Sequence, residues 1–124
     1  VLISTIGAEA AYNTGEAWLD QMLSYVEANI EFVVDYCARN IPGLKVVRPQ
    51  ASFLLWLDFR ELHLCQREIM DLLLDKAHLA LNDGTMFGNQ GAGFARLNVG
   101  TPRCVLAAAL ESLRAAVCGV CKCN

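Results

Sequence analysis

Residues 82–103 read Asn-Asp-Gly-Thr-Met-Phe-Gly-Asn-Gln-Gly-Ala-Gly-Phe-Ala-Arg-Leu-Asn-Val-Gly-Thr-Pro-Arg, and this stretch decides the fold. It opens as a loop rich in glycine, with Gly84, Gly88, Gly91 and Gly93. Glycine lets a backbone take positive φ and approach a ligand or another segment closely. Alternation then predicts a strand over Phe94–Val99, with Phe94, Arg96 and Asn98 on one face and Ala95, Leu97 and Val99 on the other. Arg96 is a lone cation on a rigid element beside that loop. Such a guanidinium either binds a carboxylate through two parallel hydrogen bonds or serves a structural ion pair. Thr101-Pro102 reads as a helix start, with Thr101 as cap and Pro102 in the first position.

Outward from this stretch the chain alternates helix and strand patterns. Residues 1–12 are an apolar lead-in, expected to start strand-like and end in a short helical turn. Asn13-Thr14-Gly15-Glu16 reads as a capped helix opening. Trp18, Met22, Tyr25, Val26, Ile30, Val33, Val34 and Cys37 then recur at helical spacing until Asn40, before Pro42 and Gly43. Leu44–Arg48 and Ala51–Phe59 are expected strands, Cys65–His78 a helix and Leu79–Leu81 a short strand. Val105, Leu106, Ala109, Leu110, Leu113 and Val117 form the apolar face of the last helix. Together these predict an α/β (α+β) two-layer sandwich, with helices on one face of a small mixed sheet.

Composition narrows the function. The 124 residues make one domain, and 55% apolar content supplies a sizeable core, or a core plus surface that another domain covers. A net charge of −3 with no basic arm argues against nucleic acid and anionic membranes as partners. The longest apolar run, Phe53–Leu57, is far shorter than the ~20 residues of a membrane helix. The lead-in has no basic flank and is too short for a signal peptide, so reduced thiols and a cytoplasmic location are expected. Cys37, Cys65 and Cys104 lie in predicted elements and read as small hydrophobes.

Other candidate chemistry reads as structural. The 83–93 loop does not fit a phosphate-binding pattern, since a strand follows its glycines. It reads instead as a mobile loop near a substrate entrance, with Asp83 and Asn89 as turn formers. Cys118-x-x-Cys121 with Cys123 has metal or redox spacing, yet His63 and His78 stand alone and no second pair completes a site. Asp58, Glu61 and His63 read as a solvated connection, and Trp18 and Trp56 as core anchors.

Three motifs resemble one family. They are Ala11-Tyr12-Asn13-Thr14-Gly15-Glu16-Ala17-Trp18-Leu19-Asp20 with Tyr25-Val26-Glu27-Ala28-Asn29, then Pro49–Arg60, and Asn82-Asp83-Gly84 through Phe87-Gly88, Gly91-x-Gly93-Phe94-x-Arg96-Leu97-Asn98 to Pro102-Arg103. Over roughly Ala8–Leu113 the chain resembles the C-terminal small domain of fold-type I pyridoxal-phosphate enzymes, in the cystathionine β-lyase/aminotransferase branch of the class I/II aminotransferases. The resemblance implies that residues 1–12 join two domains, 13–117 form the small domain and 118–124 are a cysteine-rich tail. It implies that Arg96 grips the α-carboxylate of an amino-acid substrate, with Gly84, Phe87 and Gly88 on a loop nearby. The grip would orient the Cα–H bond toward the cofactor's π-system.

The resemblance also implies what this chain lacks. The family's Schiff-base lysine and phosphate-binding residues belong to the large domain, and Lys45, Lys76 and Lys122 stand in no matching motif. The expected partner is therefore that large pyridoxal-phosphate-binding domain, the reaction transamination or carbon–sulfur β-elimination, and the chain alone inactive. Homo-oligomerisation stays open, because the family's dimer contacts lie largely in the large domain. The rival reading is a non-catalytic α/β module that binds small carboxylates or docks on a partner. It differs in folding the lead-in into its own core.

Overall fold

The computed structural model describes residues 1–121. Helix α1 (Leu2–Thr14) leads through Gly15 into the long α2 (Glu16–Asn40), followed by β1 (Lys45–Val47) and β2 (Leu54–Asp58). Next come α3 (Gln66–Asp71), β3 (Asn82–Asp83), β4 (Phe94–Asn98) and α4 (Arg103–Cys121). The strands lie in the order β1-β2-β4-β3 and every pairing is antiparallel, so the expected mixed sheet is corrected to an antiparallel one. The pairing runs past the central strands at both ends: Phe59 N–H donates to Gly93 O at 2.9 Å and Val99 N–H to Phe53 O at 2.9 Å.

Period-two alternation sorts the sheet into two faces. Leu55 and Leu57 of β2 and Ala95 and Leu97 of β4 point to one side and are buried. There they join Val26, Ile30, Val33 and Cys37 of α2 and Leu106, Leu110, Leu113 and Val117 of α4 in a single core. That layer of helix on sheet is the expected sandwich. Burial pushes the Cys37 thiol up to about 12, as for a small hydrophobe, whereas Cys65 and Cys104 are exposed, contrary to expectation.

The polar member of the α2 face is Asn29, which is fully buried. Its Nδ2 donates to Val99 O at 2.8 Å and Thr101 O at 2.9 Å, and its Oδ1 accepts from Arg103 Nε at 2.7 Å. Val99 and Thr101 lie on the connection from β4 to α4, and Arg103 opens α4. Asn29 therefore fixes where the functional strand leaves the sheet.

Several local expectations shift. The helical turn expected at Ala8–Tyr12 is present but belongs to a helix over Leu2–Thr14, so the start is helical instead of strand-like, consistent with the high helix propensity of Ala8, Ala10 and Ala11, and none of these residues is buried. Asn13 thus lies inside α1 with helical backbone and cannot act as an N-cap; Gly15 stands there without a side-chain cap. The second helix is α only to Asp71 and continues as a π turn over Leu72–Lys76, with Ala77 N–H donating to Leu72 O. The short strand falls on Asn82–Asp83, not Leu79–Leu81. At α4 it is Pro102, not Thr101, whose carbonyl accepts from Val105 and Leu106 N–H, and Val105 faces solvent. Trp18 is 70% exposed and Trp56 lies half-buried on the sheet face away from the core, so neither anchors it. Helix α4 runs through Cys121; Lys122, Cys123 and the rest of the expected cysteine-rich tail lie outside the described residues.

Candidate functional site

The uncovered face of the sheet carries Arg96. Register sets its neighbours: Trp56 of β2 and Asn82 of β3 are its cross-strand partners. Its Nη2 donates to Asn82 Oδ1 at 3.0 Å, and its guanidinium carbon lies 4.3 Å from the centre of the Phe87 ring. Such stacking on an aromatic face fixes the plane of the fork. Arg96 Nε is buried and finds no hydrogen-bond partner among the described residues. A buried polar atom left unpaired costs free energy, and native structures keep few of them.

Several other cations are ion-paired, whereas Lys76 and Arg103, like Arg96, have no carboxylate partner among the described residues. Lys45 pairs with Glu61, Arg48 with Glu27 and Glu31, Arg60 with Asp58 and Arg114 with Glu111. Among the described residues no carboxylate pairs with Arg96. The structural ion pair that spacing alone allows is therefore not formed there.

The loop from Asp83 to Gly93 folds as two short 3₁₀ turns, Gly84–Phe87 and Asn89–Gly91. Asp83 opens the first, its Oδ1 accepting from Thr85 N–H at 2.8 Å and Thr85 Oγ1 at 2.7 Å. These bonds, the hydroxyl foremost, hold its carboxyl below the usual range. Gly84 and Gly91 press backbone on backbone: a Cβ on Gly84 would lie 2.2 Å from Gly91 O, and one on Gly91 1.9 Å from Gly84 O. Gly84 is thus a packing glycine buried inside the loop. Gly88 stands open at φ +118°, and Phe87 beside it is half exposed over Arg96. Of the three loop residues expected near the site, the structure brings Phe87 to Arg96.

Trp56 extends this wall. Its ring meets Phe87 edge-on at 5.4 Å and Phe94 at 6.3 Å. Val47, Trp56, Phe87 and Phe94 line a shallow apolar cleft of about 360 Å³. On the other side, Asn82, Arg96, Asn98 and Thr101 border a more polar cleft of about 500 Å³. Arg96 lines the second cleft, and its stacking partner Phe87 lines the first.

Asp58, Glu61 and His63 do not assemble. Asp58 receives Arg60 Nε at 2.9 Å and Nη2 at 2.7 Å, and this pairing lowers its carboxyl below the usual range. Glu61 turns to Lys45, and His63 takes a left-handed backbone on the surface. Among the described residues no group of three His, Cys, Asp or Glu side chains is placed to hold a metal ion. No described helix is long and apolar enough to cross a membrane.

Sequence reasoning missed Asn82, Trp56 as a site residue, and Gln66. Each meets the site through pairing between segments distant in the chain, which local spacing does not encode. The one available signal is register: once Arg96 is on a central strand, its cross-strand partners become candidates.

Comparison with known proteins agrees with this geometry. The family described as Aminotransferase class I and II matches residues 2–113. The cystathionine beta-lyase PatB of Bacillus subtilis (strain 168) is 37% identical over 109 residues, which make up 88% of this chain and 28% of that protein. A pyridoxal-phosphate-bound protein of Clostridium difficile 630 superposes with a TM-score of 0.85 at 43% identity, covering 88% of this chain and 28% of that one. Cystalysin of Treponema denticola, crystallised with pyridoxal 5'-phosphate, gives a TM-score of 0.86 at 30% identity, covering 90% of this chain and 28% of its own. The chain thus spans under a third of the length of these relatives. With the family match extending over residues 2–113, the chain belongs to the class I and II aminotransferase family.

Proposed function

We propose that this chain is the small C-terminal domain of a pyridoxal-phosphate-dependent enzyme acting on amino acids, and that Arg96 receives the substrate α-carboxylate. The observation that carries the reading is the state of Arg96: plane set by Phe87, one corner held by Asn82, Nε buried and unpartnered. A carboxylate bridging Nε and an adjacent Nη would complete the fork in the two-bond geometry that arginine offers and lysine does not. The reaction is transamination or carbon–sulfur β-elimination, following the relatives' names, and this chain's part in it is to bind and orient.

The described residues do not form a seat for pyridoxal phosphate. Lys45 is exposed and tied to Glu61, Lys76 is exposed on the π turn, and the loop glycines are spent on packing and turning. The cofactor's attachment is therefore assigned to the large domain that the relatives carry beyond the matched region. The exposed apolar side of α1, with Leu2, Ile3 and Ile6, supports this over a self-contained binding module, which would fold its lead-in into its own core.

Two measurements on the chain test the reading. Titration with propionate, followed by the Nε–H resonance of Arg96, is expected to saturate in the wild type and to vanish in Arg96→Lys; equal binding by both chains overturns the assignment. Titration with pyridoxal phosphate, borohydride trapping and peptide mapping is expected to give no specific adduct. A single saturable adduct at Lys45, Lys76 or Lys122 overturns the account of where the cofactor is held.

A further inference from the structure

We propose that Gln66, a residue remote from the cleft, is a positioning residue for Arg96, acting through the loop that carries Phe87. The proposal rests on the reading of Arg96 as the carboxylate site. Gln66 is the first residue of α3, and its amide reaches both ends of the loop. Its Nε2 donates to Asp83 Oδ1 at 2.7 Å and to Phe94 O at 3.2 Å, and its Oε1 accepts from Gly93 N–H at 2.7 Å. Asp83 lies at the start of the loop, and Gly93 and Phe94 at its end, where β4 begins. One side chain thus closes the loop.

Above the latch the loop has little freedom of its own. The Gly84 and Gly91 backbones are in direct contact, so the two arms cannot draw closer, and the amide of Gln66, beside the β3–β4 pairing of Asp83 with Ala95, keeps them from parting. The tip then has one place for Phe87: its ring beneath the Arg96 guanidinium at 4.3 Å and edge-on to Trp56 at 5.4 Å. Asn82, which holds Nη2, immediately precedes the latched Asp83. Both contacts that orient the guanidinium are therefore anchored at or beside residues that Gln66 holds. Releasing the latch leaves Arg96 chemically intact and lets its plane wander, so the cost of ordering it falls on the ligand.

The test compares wild type with Gln66→Ala, Phe87→Leu, Phe87→Tyr and the double variant Gln66→Ala/Phe87→Leu, with amide spectra of α2 and α4 reporting the fold. Two readouts are taken: the order of the Arg96 Nε–H vector without ligand, and the propionate dissociation constant. Immobilising one long side chain is worth roughly threefold to tenfold in affinity. Gln66→Ala and Phe87→Leu are each expected to lower the order of Arg96 and raise the dissociation constant about that much, with Phe87→Tyr close to wild type. The double variant is expected to be no worse than the weaker single one, because both act on one path. Wild-type order of Arg96 in Gln66→Ala, or additive losses in the double variant, overturns the proposal. Because Arg96 order is read without ligand, failure of propionate to bind counts against the carboxylate reading and leaves this test intact. If Gln66→Ala does not fold, Phe87→Leu against Phe87→Tyr decides whether the loop sets the arginine, and wild-type order in Phe87→Leu overturns the proposal.

Discussion

The two faces of the sheet are written by alternate residues of the same two strands, yet they obey opposite rules. On the covered face Leu55, Leu57, Ala95 and Leu97 leave almost no surface to solvent. On the open face Trp56, Phe94 and Arg96 remain partly accessible, and Arg96 keeps a buried nitrogen without a partner among the described residues. The covered face is complete within the described chain. The open face keeps a buried polar atom whose partner is not among the described residues. A fold can thus separate stability from function at single-residue resolution, and substitutions one position apart should differ in kind.

The largest effect is expected on the covered face. Leu57→Ala removes a fully buried side chain from the sheet centre and leaves a cavity, which should cost ~2–5 kcal/mol in chemical denaturation. Asn29→Leu comes next. It keeps the volume but strips Val99 O, Thr101 O and Arg103 Nε of their partner, for a loss of about 1–3 kcal/mol. That second value sharpens the comparison. If Asn29→Leu is neutral, the link from α2 to the end of β4 is dispensable and the covered face owes its stability to apolar contact alone.

These two residues also mark how far the sequence could be read. Leu57 belongs to a strand legible from its run of aromatic and branched residues, and the alternation of β4 placed Arg96 on the opposite face from Leu97. Asn29 is invisible to pattern, since a polar residue in an amphipathic helix reads as solvent-facing until its partners seventy residues away are known. The same limit hid Gln66 and Asn82. Trp18 and Trp56 failed for a different reason. Large aromatics carry the strongest core signal in composition, and a domain with an uncovered face displays them on its surface. The start of residues 1–12 was misjudged as strand-like because apolar character outweighed helix propensity, and α1 forms without burying any residue.

A smaller effect is expected from the surface. Hydrogen bonds from Arg114 and then Tyr36 hold the exposed Glu111 carboxyl down from 4.5 to about 2. A carboxyl lowered on folding contributes stability above its unfolded pKa and loses it as pH falls through the folded value. Acid titration of wild type should therefore show a shallow loss between about pH 4.5 and 2 that Glu111→Gln lacks. The amplitude should be small and shrink with added salt, as for any solvent-exposed pair. An equal acid loss in Glu111→Gln would assign the titration to the more sheltered Asp58–Arg60 pair, beside the open face.

The smallest stability change is expected at Arg96, the residue proposed to receive the carboxylate. Arg96→Met keeps an unbranched apolar stem against Phe87 and removes the guanidinium altogether. The variant loses a hydrogen bond to Asn82 and a stacked cation, each worth about 1 kcal/mol or less, and is relieved of an unsatisfied buried donor of similar cost. The terms nearly cancel, so denaturation should move by no more than about 0.5 kcal/mol in either direction while propionate binding is lost. A loss above ~2 kcal/mol would instead place Arg96 among the groups that hold the sheet together, and the distinction between the two faces would fail at its central residue.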